Sequence, residues 1–471
     1  MDDVKNKIKN IFNNKKIKFI VKFVIILLFV MLSLNVSKTH EHWSDEAQSF
    51  LLAKDTSFFE MFKYMKYEGT PPLWVLVIKL FIFLGGTYKT FFVLPIIFNT
   101  IGLILFEYKV KCPWYIKIIF PFTYFIFYQY TIIARSYSLI FPLLMCIVML
   151  YKSRYKKSFL YALILFIFMN ISLHTLIVVG SLYFIYTVDS IKNGKIKNKK
   201  IIISIIVIFL ELLLTAILTY PAADCSYKIN IGRDIFHIIS EATVGSDLNK
   251  YLDIIITFVA LGIIIFTTNM EKQIKLCIIL FPVLLVLMFI CYKDWHVGII
   301  WLVMFSYLLV TNQINDNRLI KVLVMCILIV QCSWSISSIK YDYNNKYSAS
   351  LDVYKYLSKY NLENMKIYGF GFAKTSIQGY FDENIFDNKL SDKGFYIWAL
   401  DNKELPLTFA YDSSIDMYIV SMFDLEGYSD IITYLDNNND YKKMVFEGNT
   451  YIKNRLCDVE GFLMYEKNKE K

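Results

Sequence analysis

Two adjacent carboxylates, Asp45 and Glu46, stand in the segment His42-Trp43-Ser44-Asp45-Glu46-Ala47-Gln48, just after the first long apolar run. A carboxylate within hydrogen-bond reach of a hydroxyl can take its proton while the oxygen attacks an electrophile, a step worth roughly 10²–10⁴-fold in rate. Ionised groups beside hydrocarbon are costly unless they face water, a partner or a ligand, so an acidic pair in this place calls for a function. A second cluster, Tyr67-Glu68-Gly69-Thr70-Pro71-Pro72-Leu73-Trp74, follows downstream. Arg135, in Ala134-Arg135-Ser136-Tyr137, offers a planar fork that binds oxyanions bidentately. Lys293 and His296 add sites where positive charge can meet a departing anion, and His174, between two apolar runs, is a further candidate for substrate binding. A base with oxyanion ligands is the equipment of group transfer.

The elements that must hold these residues are membrane helices. The chain has 471 residues, 56% hydrophobic and 19% charged, against about 25% charged for soluble proteins. Apolar stretches recur through the first 340 positions, each near the ~20 residues that cross a bilayer as helix. The fold class is a polytopic α-helical membrane protein. The tract Ile20–Leu34 is flanked by lysines and lacks a small-residue cleavage site, so it reads as a retained anchor. Residues 1–340 carry a net charge of +16 and residues 341–471 a net −6. The basic excess is an orientation signal of the membrane part, and no nucleic-acid partner is expected. The cysteines form no CxxC and no ligand spacing, which predicts neither a disulfide framework nor a cysteine metal site. The wealth of Lys, Ile, Asn, Tyr and Phe matches an AT-rich, bacterial genome.

The expected spans are 18–37, 91–107, 114–133, 137–151, 158–173, 174–189, 201–220, 251–269, 275–291, 297–311 and 318–339, about eleven transmembrane helices. The stretch 72–85 is too short and reads as an interfacial helix with Lys79 in its middle. Loop charge supports that choice. With Lys5, Lys7, Lys9, Lys15 and Lys16 cytoplasmic and 72–85 not crossing, every later compact basic cluster falls inside, as the positive-inside rule asks. The first loop, 38–90, then lies outside. So do Arg135, Tyr137, His174, the loop 221–250, Lys293, His296 and everything after 340. The chain divides into a membrane domain, 1–340, and an extracytoplasmic α/β domain, 341–471. In the latter, 366–372, 416–423 and 462–465 read as strands, with 349–360 and 427–435 as helices. Gly369-Phe370-Gly371 does not complete a dinucleotide fingerprint.

The ordered set Asp45-Glu46-Ala47-Gln48, Glu68-Gly69-Thr70-Pro71, Ala134-Arg135-Ser136-Tyr137 and Asn170-x-x-x-His174 resembles the GT-C superfamily of integral-membrane glycosyltransferases. That group includes protein O-mannosyltransferases and lipid A aminoarabinose transferases, and the likeness is to an uncharacterised bacterial branch. It covers roughly residues 18–175 best. The resemblance implies a GT-C-like fold in the cell membrane and a polyprenyl-phosphate sugar donor. The sugar would pass at the outer face to a glycan, lipid or protein acceptor, with inversion. It also implies Asp45 as the catalytic carboxylate. Many members carry an acid after the arginine of the second outer loop; here Ser136 and Tyr137 follow Arg135, which leaves a divalent metal open.

On this reading Asp45 is the base, and Glu46 orients the acceptor or holds a metal. Glu68 binds hydroxyls of sugar or acceptor, Arg135 binds phosphate, and Tyr137 stacks on sugar. Lys293 and His296 stabilise the leaving phosphate. Each residue also has a plainer role. Asp45 can cap a helix starting at Glu46, and Pro71-Pro72 can simply start one. Arg135 can snorkel, Tyr137 can anchor at the interface, and His174 can connect two apolar runs. Asp224, Arg233, Asp234, His237 and Glu241 in 221–250 suit either a lid over the lipid phosphate or a solvated loop. A transporter or flippase of lipid-linked saccharides is the alternative function; it would depend on Glu211, the main charge inside a span. A non-enzymatic sensor would leave the acidic first loop unexplained.

Overall fold

Apolar runs become helices whose first turns are closed by polar side chains. Asn198, Asn249, Asn269 and Asn317 each accept a backbone N–H two or three residues on, the usual satisfaction of orphan donors at a helix start. The computed structural model describes residues 15–226, 234–245, 249–290, 292–388, 393–399 and 414–468. Lys5, Lys7, Lys9 and Arg233 lie outside the described residues.

The chain begins with α1 (Lys15–Ser37) and then makes three short helices, α2 (Ser44–Asp55), α3 (Phe58–Glu68) and α4 (Leu73–Phe83). Gly69 ends α3 at φ +62°, a left-handed conformation glycine adopts without strain. Helix α4 spans 11 residues, about half the length needed to cross. It buries Trp74, Val75 and Ile78 and leaves Leu80 and Phe83 exposed, so one side is packed and the other is apolar and open.

Next come α5 (Val93–Lys109), α6 (Trp114–Ile119), α7 (Ile140–Tyr151), α8 (Ser158–Met169) and α9 (Leu173–Lys192). They are followed by α10 (Lys199–Thr219), α11 (Ile235–Thr243), α12 (Lys250–Thr267), α13 (Met270–Phe289), α14 (Gly298–Val310) and α15 (Arg318–Asn344). Among the described residues six helices are long and apolar enough to cross a membrane: Lys15–Ser37, Tyr88–Lys109, Leu173–Lys192, Lys199–Thr219, Met270–Phe289 and Arg318–Asn344. Leu73–Phe83, Ser136–Tyr151, Ser158–Met169, Tyr251–Thr267 and Gly298–Val310 are apolar but shorter.

The expected span 114–133 is not one helix. After α6 the chain makes a tight turn at Phe120–Phe122, passes an extended Thr123, and winds Tyr124–Ile132 as a π-helix. Pro121 lacks the N–H and crowds the preceding turn, which ends the α-helix. All nine residues of the π-helix are buried. Gly298 is required beside it, because a Cβ there would meet Phe125 and the Tyr130 hydroxyl at 2.4 Å.

The loops sort into two groups by contact. At one end, Arg154 and Lys275 both bind Asp189, Lys117 donates to the carbonyls of Phe106 and Glu107, and the Tyr307 hydroxyl donates to the Lys272 carbonyl. At the other end lie the loop 38–72, Arg135, His174, residues 292–296 and the C-terminal region, joined by the contacts described below.

The C-terminal region holds a four-stranded sheet in the order β1 (Ile367–Phe370), β2 (Met417–Ser421), β6 (Phe462–Lys467), β3 (Tyr441–Phe446), with β1 and β2 parallel and the rest antiparallel. Side chains alternate along β2. Met417 and Ile419 pack with α16 (Ser350–Leu357) and α17 (Lys374–Gln378), while Tyr418 and Val420 pack with α18 (Ser429–Asn437), the period of two that a sheet covered on both faces requires. The hairpin β4 (Asn449–Ile452) and β5 (Arg455–Val459) leaves this sheet and joins the core of the helical part through Ile452. Tyr451 stacks on Tyr341 with ring centroids 4.4 Å apart. At the hairpin tip Lys453 is fully buried, bonds to Glu241, and stands over the Trp334 ring.

Candidate active site

Helix α2 starts at Ser44, two residues earlier than an Asp45 cap would require. Trp43 occupies the cap position, and its backbone N–H donates to Glu46 Oε2 at 3.1 Å. The capping role expected for Asp45 is therefore taken by its neighbour. Asp45 turns the other way and meets Arg135, Nη1 to Oδ2 at 2.5 Å. Both partners keep some access to solvent, 24% for Asp45 and 19% for Arg135.

Glu46 is fully buried and fully engaged. It accepts from His42 Nδ1 at 3.2 Å and from the Ala134 N–H at 2.6 Å, and contacts His40 Nε2 at 3.4 Å. Burial alone would raise its pKa, yet His42 and His40 hold the carboxyl far below the usual range. His40 in turn faces Asp342 at 3.2 Å, and burial is overcome there too: its pKa rises to about 10. Through Ala134 the Glu46 carboxylate fixes the backbone next to Arg135. Adjacent residues on a helix point apart, so Asp45 looks into the site while Glu46 braces it from behind.

Arg135 follows directly on the π-helix. Its guanidinium carbon lies 5.7 Å from the Trp43 ring, 5.7 Å from Tyr137 and 5.5 Å from Trp295, distances at which a cation is attracted to an aromatic face. Lys293 stands 5.5 Å from the Trp295 ring. The His296 ring is 5.7 Å from Tyr137 and 4.6 Å from His174. Residues from four separate loops thus form one chain of contacts: Asp45, Arg135, Tyr137, His296, His174, with Lys293 joined through Trp295.

Glu68 comes in along α2. Gln48 lies three residues after Asp45, on the same helix face, and its Nε2 donates to Glu68 Oε1 at 2.7 Å. Burial, with the nearby Asp45 charge, lifts the Glu68 carboxyl to about 7 against the pull of Gln48 and Arg135.

The C-terminal region adds residues that sequence reasoning missed. The buried Glu460 accepts from the Ser44 hydroxyl at 2.5 Å. Burial, then the Asp45 and Asp458 charges, push it up to about 8. Asp458 is raised as well, by burial and by Asp45 and Asp294, and is relieved by Lys293. No local signal marks Glu460 or Asp458, because both reach the site through a hairpin more than four hundred residues from Ser44. Trp43 and Trp295, by contrast, sit within two residues of sites that the sequence itself marks.

In the loop 221–250 the described candidates Asp224, Asp234, His237 and Glu241 bond to partners other than Asp45. Asp224 accepts from the Tyr67 hydroxyl at 2.9 Å, Asp234 caps α11 at the His237 N–H, His237 Nδ1 meets Asp253 at 3.0 Å, and Glu241 holds Lys453. Among the described residues no three His, Cys, Asp or Glu side chains are spaced to hold a metal ion. Asp45 is paired with Arg135 and Glu46 with its histidines. No family model matches the chain, and neither a curated protein nor a solved structure matches it.

Proposed function

We propose that the chain is a GT-C-like membrane glycosyltransferase that moves a sugar from a polyprenyl-phosphate donor to an acceptor hydroxyl. In this reading about eleven segments cross the cell membrane, the N-terminus is cytoplasmic, and the C-terminal region is extracytoplasmic. The supporting contact pattern is the sorting of loops: Arg154 and Lys275 meet on Asp189, Lys272 reaches the Thr311 carbonyl and Asn315 the Lys111 carbonyl, while the loops carrying Asp45, Arg135 and Lys293 meet one another.

The observation that carries the proposal is the partly exposed Asp45–Arg135 pair inside a wall of Trp43, Tyr137 and Trp295. Asp45 takes the proton of the acceptor hydroxyl as its oxygen bonds to C1 of the sugar. The bond from C1 to the phosphate oxygen breaks on the opposite side, which inverts the anomeric carbon. Polyprenyl phosphate leaves with the electron pair. A guanidinium carries five donors, so a bond to Asp45 does not exhaust Arg135, and Lys293 adds charge beside the leaving oxygen. Withdrawal of Arg135 toward the phosphate would release Asp45 to act as base. The test is transfer by the purified protein in liposomes holding a polyprenyl-phosphate sugar. Asp45→Asn must abolish it while the variant still inserts and folds; undiminished transfer defeats the proposal.

A transporter or flippase has one observation of its own. Glu211 lies on α10 within a candidate span, and its Oε2 is buried with no hydrogen-bond partner among the described residues. Saccharide movement lost in Glu211→Gln and kept in Asp45→Asn would favour that reading.

A further inference from the structure

The short segment 393–399 crosses the first loop as a strap. The Lys393 ammonium bonds the Asp55 carbonyl at 2.7 Å and the Gly394 N–H bonds the Asp55 carboxylate at 2.8 Å. Gln48 then reads the main chain of Tyr396 in both directions, receiving its N–H at 2.8 Å and donating to its carbonyl at 2.6 Å. At the far end the Ser226 N–H bonds the Trp398 carbonyl at 2.9 Å. Phe395 and Ile397 pack into the core of the helical part. Tyr396 and Trp398 lie against each other, half-buried, with ring centroids 4.8 Å apart. Phe372 backs both, at 5.8 and 4.9 Å.

We propose that Tyr396 and Trp398, backed by Phe372 and edged by Gln48 and Glu68, form a subsite for a pyranose ring of the acceptor. The acceptor is then a carbohydrate. A pyranose has apolar C–H faces and a rim of hydroxyls. It matches large amphipathic rings flanked by a few polar groups. Gln48 holds the strap and Glu68 with the same amide, 2.6 and 2.7 Å away, so rings and carboxyl are fixed relative to one another. Asp45 sits one helical turn before Gln48 on that face of α2. A sugar on the rings places a hydroxyl toward the base. Glu68, held partly protonated near neutrality, both donates to and accepts from hydroxyls.

The acceptor role rests on the transferase reading; the binding of carbohydrate does not. The experiment uses the full-length protein in detergent micelles on an array of neutral oligosaccharides built from hexoses, deoxyhexoses and N-acetylhexosamines. Affinities for the best binder follow by calorimetry. At least one oligosaccharide binds saturably, Trp398→Ala weakens it about 10-fold or more, and Trp398→Phe stays within about 3-fold, as loss and retention of a stacked ring require. Absence of binding to every oligosaccharide overturns the proposal, as does unchanged affinity in Trp398→Ala, or in Trp398→Leu should the alanine variant not fold. If binding depends on Trp398 while Asp45→Asn leaves transfer intact, the subsite stands and the transferase reading falls. If transfer is lost in Asp45→Asn while glycan binding is indifferent to Trp398, the transferase reading stands and the subsite falls.

Discussion

The two ends of the helical part handle charge differently. At one end Asp189 is matched by Arg154 at 3.0 Å and Lys275 at 3.0 Å, and Lys275 also reaches Glu271 at 2.8 Å. Each of these carboxylates has a cation in contact. At the other end Asp45 has Arg135, but Glu68 is held by an amide and Glu460 by a hydroxyl. Those two buried carboxyls are pushed up to about 7 and about 8. Matched charge staples loops together and leaves little capacity for a ligand. Carboxyls held only by neutral groups stay able to exchange protons near neutral pH, which is costly for stability and useful for chemistry.

The contrast can be broken at either end. The largest effect is expected from Asp45→Asn, which should lower transfer by roughly 10²–10⁴-fold, the usual worth of a positioned base. The melting temperature in detergent should barely move. Asp189→Asn should do the opposite. It leaves Arg154 and Lys275 without their shared anion, at a cost of about 3–5 kcal/mol in stability. The surviving folded protein should keep its turnover, measured as transfer per folded molecule.

Arg135→Lys sharpens the comparison. Lysine keeps the charge but loses the planar fork that pairs with Asp45 and lies among three rings, so transfer should fall about 10–100-fold, mostly through donor affinity in a KM-against-kcat measurement. The smallest effect belongs to Glu460→Gln. Burial raises the Glu460 pKa, so its stabilising contribution is complete below the unfolded carboxyl value of about 4.3 and is lost as pH rises through about 8. The melting temperature of the parent should decline from about pH 4 to about pH 8 and level off above it, and the glutamine variant should flatten that decline.

Much of the fold is legible in the sequence because its signals are local. Apolar runs delimit the helices, and short apolar runs ending in turn residues locate β1, β2 and β6. Loop charge alone groups Lys111 with Arg154 and Lys275; in the folded chain Asn315 bonds the Lys111 carbonyl, Lys272 the Thr311 carbonyl, and Arg154 and Lys275 share Asp189. The break in 114–133 escapes a hydropathy reading, which is indifferent to winding; Pro121 is the available sign. In the site, Asp45 and Arg135 stand far apart in the chain and are paired in the structure, while Glu46, expected to share the chemistry, lies buried against His40, His42 and the Ala134 N–H. In the sequence Gln48 is only the last residue of a motif, yet it ties α2 to Glu68 and to Tyr396. Glu460 and the strap 393–399 carry no local mark, because their meaning arises only when distant chain segments are folded onto the first loop.

The wide winding of Tyr124–Ile132 has an effect on direction. Nine residues in this form complete about two turns, where an ordinary α-helix would complete about two and a half. The chain thus emerges roughly half a revolution away from where regular winding would aim it, and the next residues out are Ala134 and Arg135. Deleting a single residue within that stretch would swing the guanidinium off its aspartate, even though the segment stayed just as greasy and just as buried.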